Sequence, residues 1–137
     1  KGRLGRVFLA KDYEIVGDVP VEQSWKTSSA ALGTLLDMGV HRFFVLRWIM
    51  GEVKSVFAFA EKLACEVETD NDDTAVIALK FKNGALGEVD LTCCAISEPT
   101  NRLELYGTKG TIIEDHMWEP PLMYCSQQPD FETEGWV

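Results

Sequence analysis

A helix-length apolar run, GTLLDMGVHRFFVLRWIM, constrains the fold of this chain more than any other feature. One strand signal, Arg6 to Val16, precedes it, and strand and turn signals follow it to the end. A parallel βαβ sheet needs strands and helices in alternation, and this order lacks that. The order predicts an α+β domain: a mainly antiparallel open sheet with one long helix packed on one face. The helix is expected from about Ala31 or Gly33 to Met50, with Ser28 or Ser29 as N-cap and Gly51 as its stop.

The strands can be read in more detail. VKSVFAFAEKL follows the helix directly. DDTAVIALKFKNGALGEVDLTCC reads as a hairpin, because Asn83-Gly84 is the dipeptide preferred in tight type I′ turns. Its alternation places Ala75, Ile77, Leu79 and Phe81 on one face and Lys80 and Lys82 on the other. RLELYGTKGTIIED is a second hairpin, turning at Gly107-Thr108-Lys109-Gly110, and the tail beyond Pro120-Pro121 adds one short strand. On the far sheet face, Val76, Ala78, Val56 and Cys93 or Cys94 give a mixed pattern. A subunit interface and a solvated face with scattered apolar residues both fit it.

The 137 residues suit a single domain, residues 1–137, and 46% hydrophobic content supports a packed core. A net charge of −9 argues against a nucleic-acid surface and against an anionic membrane. Asp37, His41, Arg42 and Arg47 interrupt the longest apolar run, so no spanning helix is expected. The start, KGRLGRVFLAKDYEIVGD, shows no signal-peptide pattern, and GRLGRVFLA already reads as a strand with no lead-in. A piece of a longer cytoplasmic protein is the expectation.

Cys65, Cys93, Cys94 and Cys125 form no C-x-x-C pair. Cys93 and Cys94, if on a strand, face opposite ways. Reduced thiols are the simpler reading, and a zinc site with His116 lacks supporting ligand spacing. Asp70, Asp72 and Asp73 read as a solvated acidic loop, and Lys109 as a solvated turn residue. Trp25, beside Lys26, is either a pocket-mouth residue or a core or interface residue.

The sharper question is why DMGVH sits inside an apolar helix. Glycine there costs about 1 kcal/mol relative to alanine, and an unpaired carboxylate away from water costs more. At about 100° per residue, Thr34, Asp37 and His41 fall within about 60° of one another, and Phe44 and Trp48 extend the stripe. Gly39 would let a ligand or another backbone approach beside the pair. A carboxylate next to a histidine favours imidazolium and fixes the ring tautomer, so such a histidine can take and return a hydroxyl proton. By spacing alone, a structural pair stitching helix to sheet is the more frequent case.

GTLLDMGVHRFFVLRWIMGEVKSV, FKNGALGEVDL and LELYGTKGTI, in that order, resemble the substrate domain of the glucose–fructose oxidoreductase/inositol dehydrogenase (Gfo/Idh/MocA) family. The likeness runs from about Gly5 to Asp115, and GRLGRV matches the strand that opens the family's second half. It implies the α+β C-terminal domain, of GAPDH-like type, of an NAD- or NADP-dependent oxidoreductase acting on a hydroxyl-bearing carbon of a sugar, cyclitol or similar alcohol. It further implies that Asp37 orients substrate and that His41 is the acid–base group. Trp25, Lys26, Thr34 and Phe44 become substrate-binding candidates. It also implies a homo-oligomer formed through the open sheet face.

The departures from the family pattern are specific. Ala31 and Leu32 stand where glycines often precede the helix, and only Gly33 is kept. Phe44 replaces an aspartate common three residues after the histidine, and Trp25-Lys26 replaces Trp-Arg. A phenyl ring at that position makes the pocket less polar. Neither a G-x-G-x-x-G nor the family's Glu-Lys-Pro segment is present. The expectation is therefore an absent N-terminal Rossmann domain, no cofactor or metal held by these residues, and no dehydrogenase activity from them alone. The competing expectation is a non-catalytic dimerisation or binding module of the same fold, with Asp37 and His41 enclosed by the sheet. A metal-dependent hydrolase using His41, His116 and cysteines lacks a ligand set.

Overall fold

A computed structural model describes residues 2–17, 33–66, 69–96 and 99–137. Its elements are β1 (Val7–Ile15), α1 (Gly33–Asp37), α2 (Gly39–Met50), β2 (Val53–Glu61), β3 (Thr74–Phe81), β4 (Leu86–Thr92), β5 (Thr100–Gly107), β6 (Gly110–Asp115) and β7 (Leu122–Ser126). The strands make one seven-stranded sheet in the order β2-β3-β4-β1-β5-β6-β7. Five neighbouring pairings are antiparallel, but β1 lies parallel to β4, with Leu9 opposite Leu86 and Ile15 opposite Thr92. The sheet is therefore mixed. β1 precedes the helices and slots between the two later hairpins, and a strand inserted in this way pairs parallel on one side and antiparallel on the other.

The single long helix is corrected to two. The ladder breaks at Met38, where the His41 N–H reaches back only three residues, to the Met38 carbonyl at 3.2 Å. Met38 itself keeps right-handed dihedrals of φ −89° and ψ −42°. Gly39 explains the local tightening. A Cβ there would lie 3.1 Å from Leu91 Cδ1 and 3.1 Å from Phe43 Cε2, so the helix seats closely on β4. Of the two approaches that Gly39 permits, it is the sheet, through Leu91 of β4, and not a ligand that takes the space.

The core lies between the helices and one sheet face. Met38, Leu46 and Met50 pack with Ala10, Ala75, Ile77, Leu79, Phe81, Val89, Leu91 and Leu105, and Leu35 and Phe43 sit against this cluster. Ala75, Ile77, Leu79 and Phe81 are all buried, as their alternation predicts. Each large side chain fully buried here contributes about 1.5–3 kcal/mol. Val56 is a correction. It pairs with Leu79 and so belongs to the helix-side face, yet it stays exposed because β2 is an edge strand the helices do not cover. The opposite face carries exposed Phe57, Phe59 and Val76.

The turns differ in one case. Gly84 N–H bonds the Phe81 carbonyl at 3.0 Å, and Phe81 N–H bonds the Ala85 carbonyl at 2.9 Å. With Gly84 at φ 89°, this is a three-residue loop with a glycine bulge, not a two-residue type I′ turn. Asn83 explains the choice: its amide donates to the Met50 carbonyl at 2.9 Å, tying the loop to the end of α2. The second hairpin turns at Thr108-Lys109 as expected, with Gly107 opposite Gly110. Residues 2–6 are not strand. They pack on that hairpin, where Lys109 N–H bonds the Leu4 carbonyl at 3.0 Å.

Candidate active site

Asp37 is the last residue of α1, and His41 lies in the first turn of α2. His41 is exposed and Asp37 half-buried. Phe44 is 72% and Trp48 80% exposed. The stripe anticipated from helical spacing therefore exists, and it is the helix surface turned away from the sheet. Leu36 and Val40 border it, both about half exposed. The helix is apolar on both sides: Phe43, Leu46 and Met50 face the sheet while Val40, Phe44 and Trp48 face outward. The sheet does not enclose Asp37 and His41.

Thr34 departs from the stripe. It is buried, and its hydroxyl donates to Cys93 Sγ at 3.2 Å, so it holds the start of α1 to the end of β4. Trp25 and Lys26, like Ser28, Ser29, Ala31 and Leu32, lie outside the described residues.

The acidic loop is not simply solvated. Asp72 Oδ2 accepts the Leu35 N–H at 2.7 Å and its carbonyl accepts the Thr34 N–H at 3.0 Å, capping α1. Gly33, at φ 72°, has no side chain to obstruct that carboxylate. Asp73 is buried and accepts the N–H groups of Leu63, Ala64 and Cys65, plus the Thr74 hydroxyl. Burial pushes its carboxyl up, but those hydrogen bonds together outweigh it and hold the carboxyl below its ordinary value. A count of acidic residues misses these roles. The signal available in the sequence was their position just ahead of a strong strand, where a loop must return past the helix start.

Arg42 points toward the sheet from α2. Its Nη1 lies 3.4 Å from Asp12 Oδ1 and its Nε 2.8 Å from Glu14 Oε2. Asp12 is fully buried, and among the described residues its Oδ2 has no hydrogen-bond partner. Burial pushes the Asp12 carboxyl up to about 6, against the pull of Arg42. The alternation in Ala10, Asp12 and Glu14 already put both carboxylates on the core face of β1, a sequence signal not taken up.

His116, the other histidine, is exposed, with Nδ1 3.5 Å from Glu114 Oε1. All four cysteines are free and partly exposed. Cys93 and Cys94 do not face opposite ways: β4 ends at Thr92, and the two Sγ atoms lie 3.8 Å apart. Among the described residues, no helix is long and apolar enough to cross a membrane.

The family model described as the GFO/IDH/MocA C-terminal domain matches residues 1–113. The chain is 40% identical over 101 residues to a myo-inositol 2-dehydrogenase of Thermotoga maritima, covering 72% of this chain and 30% of that protein. It is 39% identical over 87 residues to the uncharacterized oxidoreductase YrbE of Bacillus subtilis, covering 61% of this chain and 26% of that protein. The chain thus spans under a third of the length of these curated relatives. A levoglucosan dehydrogenase solved with NADH and levoglucosan superposes with a TM-score of 0.82 at 24% identity, over 99% of this chain and 40% of that one. The WlbA dehydrogenase of Bordetella pertussis, solved with NADH and UDP-GlcNAcA, gives a TM-score of 0.75 at 24% identity, over 88% of this chain and 38% of that one. At that identity the two structures establish the fold. The family match and the myo-inositol 2-dehydrogenase relative together establish that this chain belongs to the GFO/IDH/MocA family, as its C-terminal domain.

Proposed function

We propose that this chain is the substrate-binding part of an oxidoreductase acting on a hydroxyl-bearing carbon of a sugar, cyclitol or related small alcohol. The observation that carries the reading is the outward helix surface, where Asp37 and His41 stand on an exposed apolar stripe in a domain of this family. His41 takes the hydroxyl proton of the substrate, and Asp37 orients the alcohol. Phe44 lines the same surface and favours a substrate less densely hydroxylated on that side. Thr34 serves as a positioning residue, because its buried hydroxyl holds the helix start. Trp25 and Lys26 complete the pocket mouth on the strength of the family resemblance.

The described residues offer no glycine-rich turn to grip a dinucleotide, but the exposed apolar strip beside His41 fits the side of a flat nicotinamide ring. NAD or NADP, held by a Rossmann domain, supplies the hydride acceptor. We assign that domain as the partner covering the stripe, and these residues alone as inactive. A homo-oligomer through the open sheet face completes the reading. There Phe57 and Phe59, with ring centroids 5.0 Å apart, and Val76 are exposed together. The four free cysteines suit a cytoplasmic setting.

The test is His41→Ala in the full-length protein, assayed against a panel of cyclitols and sugars. Turnover should fall by about 10²–10⁴-fold, with nicotinamide-cofactor affinity unchanged. Unaltered turnover would leave the domain as a dimerisation or binding module of the same fold.

A further inference from the structure

Cys93 and Cys94 are consecutive, and in an extended strand their side chains would project to opposite faces. The chain leaves the strand just before them. Thr92 Oγ1 accepts the Cys94 N–H at 3.2 Å, and the Thr92 carbonyl accepts the Val16 N–H at 2.9 Å. The Cys93 N–H is tied to the Asp73 carbonyl at 3.2 Å, and the Ala95 N–H to the Val16 carbonyl at 3.1 Å. These four bonds fix the backbone on both sides of the pair. The resulting bend brings the thiols together, with Sγ atoms 3.8 Å apart. Both cysteines are partly exposed, and Ile96, two residues on, is exposed. The thiol pair is therefore preformed and reachable from solvent.

The backbone disfavours closing the pair into a disulfide. Consecutive Cα atoms across a trans peptide are about 3.8 Å apart, whereas disulfides ordinarily need about 4.4–6.8 Å. What the geometry suits is a ligand that takes both sulfurs at a small bite. Soft, thiophilic centres prefer such donors. Among them, a pyramidal trivalent centre makes its two sulfur bonds near a right angle and can bridge neighbouring thiols. A linear two-coordinate ion would need the sulfurs on opposite sides of it.

We propose that Cys93 and Cys94 form a bidentate thiol site for a trivalent arsenical, an oxyacid or an organoarsenoxide. The reaction is a condensation. Two S–H bonds break and two As–S bonds form; the As=O of an arsenoxide leaves with both protons as one water, or two As–OH groups of the oxyacid leave with one proton each as two waters. Nothing is oxidised or reduced. The Cys94 thiol, pushed up to about 12 by burial and by Cys93, enters with its proton, which leaves in the water formed. Thr34 loses its sulfur acceptor only if the arsenic displaces its hydroxyl from Cys93.

The test treats reduced full-length protein with phenylarsine oxide and reads the intact mass. Alkylation and peptide mapping then show which cysteines the reagent protects. The expected result is a one-to-one adduct that protects Cys93 and Cys94 together and is reversed by a small dithiol. Cys93→Ser and Cys94→Ser should each abolish it, while Cys65→Ser and Cys125→Ser retain it, with melting curves confirming that each variant is folded. The mapping on unmutated protein stands even if a serine variant fails to fold. No adduct, an adduct that survives loss of either neighbour in a folded variant, or protection mapped to Cys65 or Cys125 would overturn the proposal.

Discussion

Arg42 of α2 reaches Asp12 of β1, with Nη1 3.4 Å from Oδ1, and the same guanidinium holds Glu14 through Nε at 2.8 Å. One cation thus fastens the helix that bears His41 to the central strand of the sheet. Removing it would leave two core-facing carboxylates without their counter-charge. Arg42→Ala should destabilise the domain by about 3–5 kcal/mol, read as a drop in the urea midpoint. A loss near zero would mean that the ion pair contributes little beyond what packing already supplies.

Asp12 makes stability depend on pH in an unusual direction for a carboxylate. Its folded value, about 6, lies above the ordinary 3.8. Between those two values the folded protein holds a proton that the unfolded chain has released. The contribution of this group is therefore full below about 3.8 and is lost as pH rises through about 6. Asp12→Asn carries no such titration. The stability difference, wild type minus variant, should fall as pH rises across that window, measured by urea denaturation at a series of pH values. A difference that is flat with pH would contradict this assignment.

Asp72 caps α1 through the Leu35 N–H at 2.7 Å. Asp72→Ala should cost about 0.5–2 kcal/mol. Amide exchange should quicken first at Leu35, where the acceptor is lost, before it quickens in β3.

Gly39 sits 3.1 Å, by its would-be Cβ, from side-chain atoms of both Leu91 and Phe43. Gly39→Val adds branched bulk at this contact, so the helix must lift from β4. A loss of about 1–3 kcal/mol is expected from overpacking, visible as a lower Tm. An unchanged Tm would show that Leu91 and Phe43 can give way.

Phe44 is 72% exposed on α2. Phe44→Asp should change stability by no more than about 0.5 kcal/mol. In the full-length protein it should shift preference toward more hydroxylated substrates, compared as kcat/KM across a sugar and cyclitol panel. An equal fall for every substrate would remove Phe44 from the pocket.

Much of this architecture was legible because it is local. The alternation Ala75, Ile77, Leu79, Phe81 requires only the two-residue period of a strand, and the structure buries all four. Gly107 and Gly110 bracket the short polar pair Thr108-Lys109 and so mark a turn in the sequence itself. The exposed run of His41, Phe44 and Trp48 follows from helical spacing, whereas Thr34, the start of the same expected stripe, is buried. The family likeness in GTLLDMGVHRFFVLRWIMGEVKSV was legible for the same reason: it depends on residue types in order.

The rest depended on partners distant along the chain. Asn83-Gly84 suggested a tight two-residue turn, but Asn83 is committed to the Met50 carbonyl, 33 residues away, and the loop opens by one residue. Gly39 admits either a ligand or another chain segment by sequence, and Leu91, distant along the chain, is what lies against it. Cys93 and Cys94 would face apart on a strand, yet bonds from Asp73 and Val16 end the strand before them.

The sequence by itself determined the strand and helix periods, the family, and the placement of Asp37 and His41 on one helical stripe. Only the tertiary structure decided which side of that helix meets the sheet. The helix carries large apolar side chains on both of its sides, so their burial alone favours neither side. The choice is made by Arg42 reaching Asp12 and Glu14, and by Gly39 closing on Leu91.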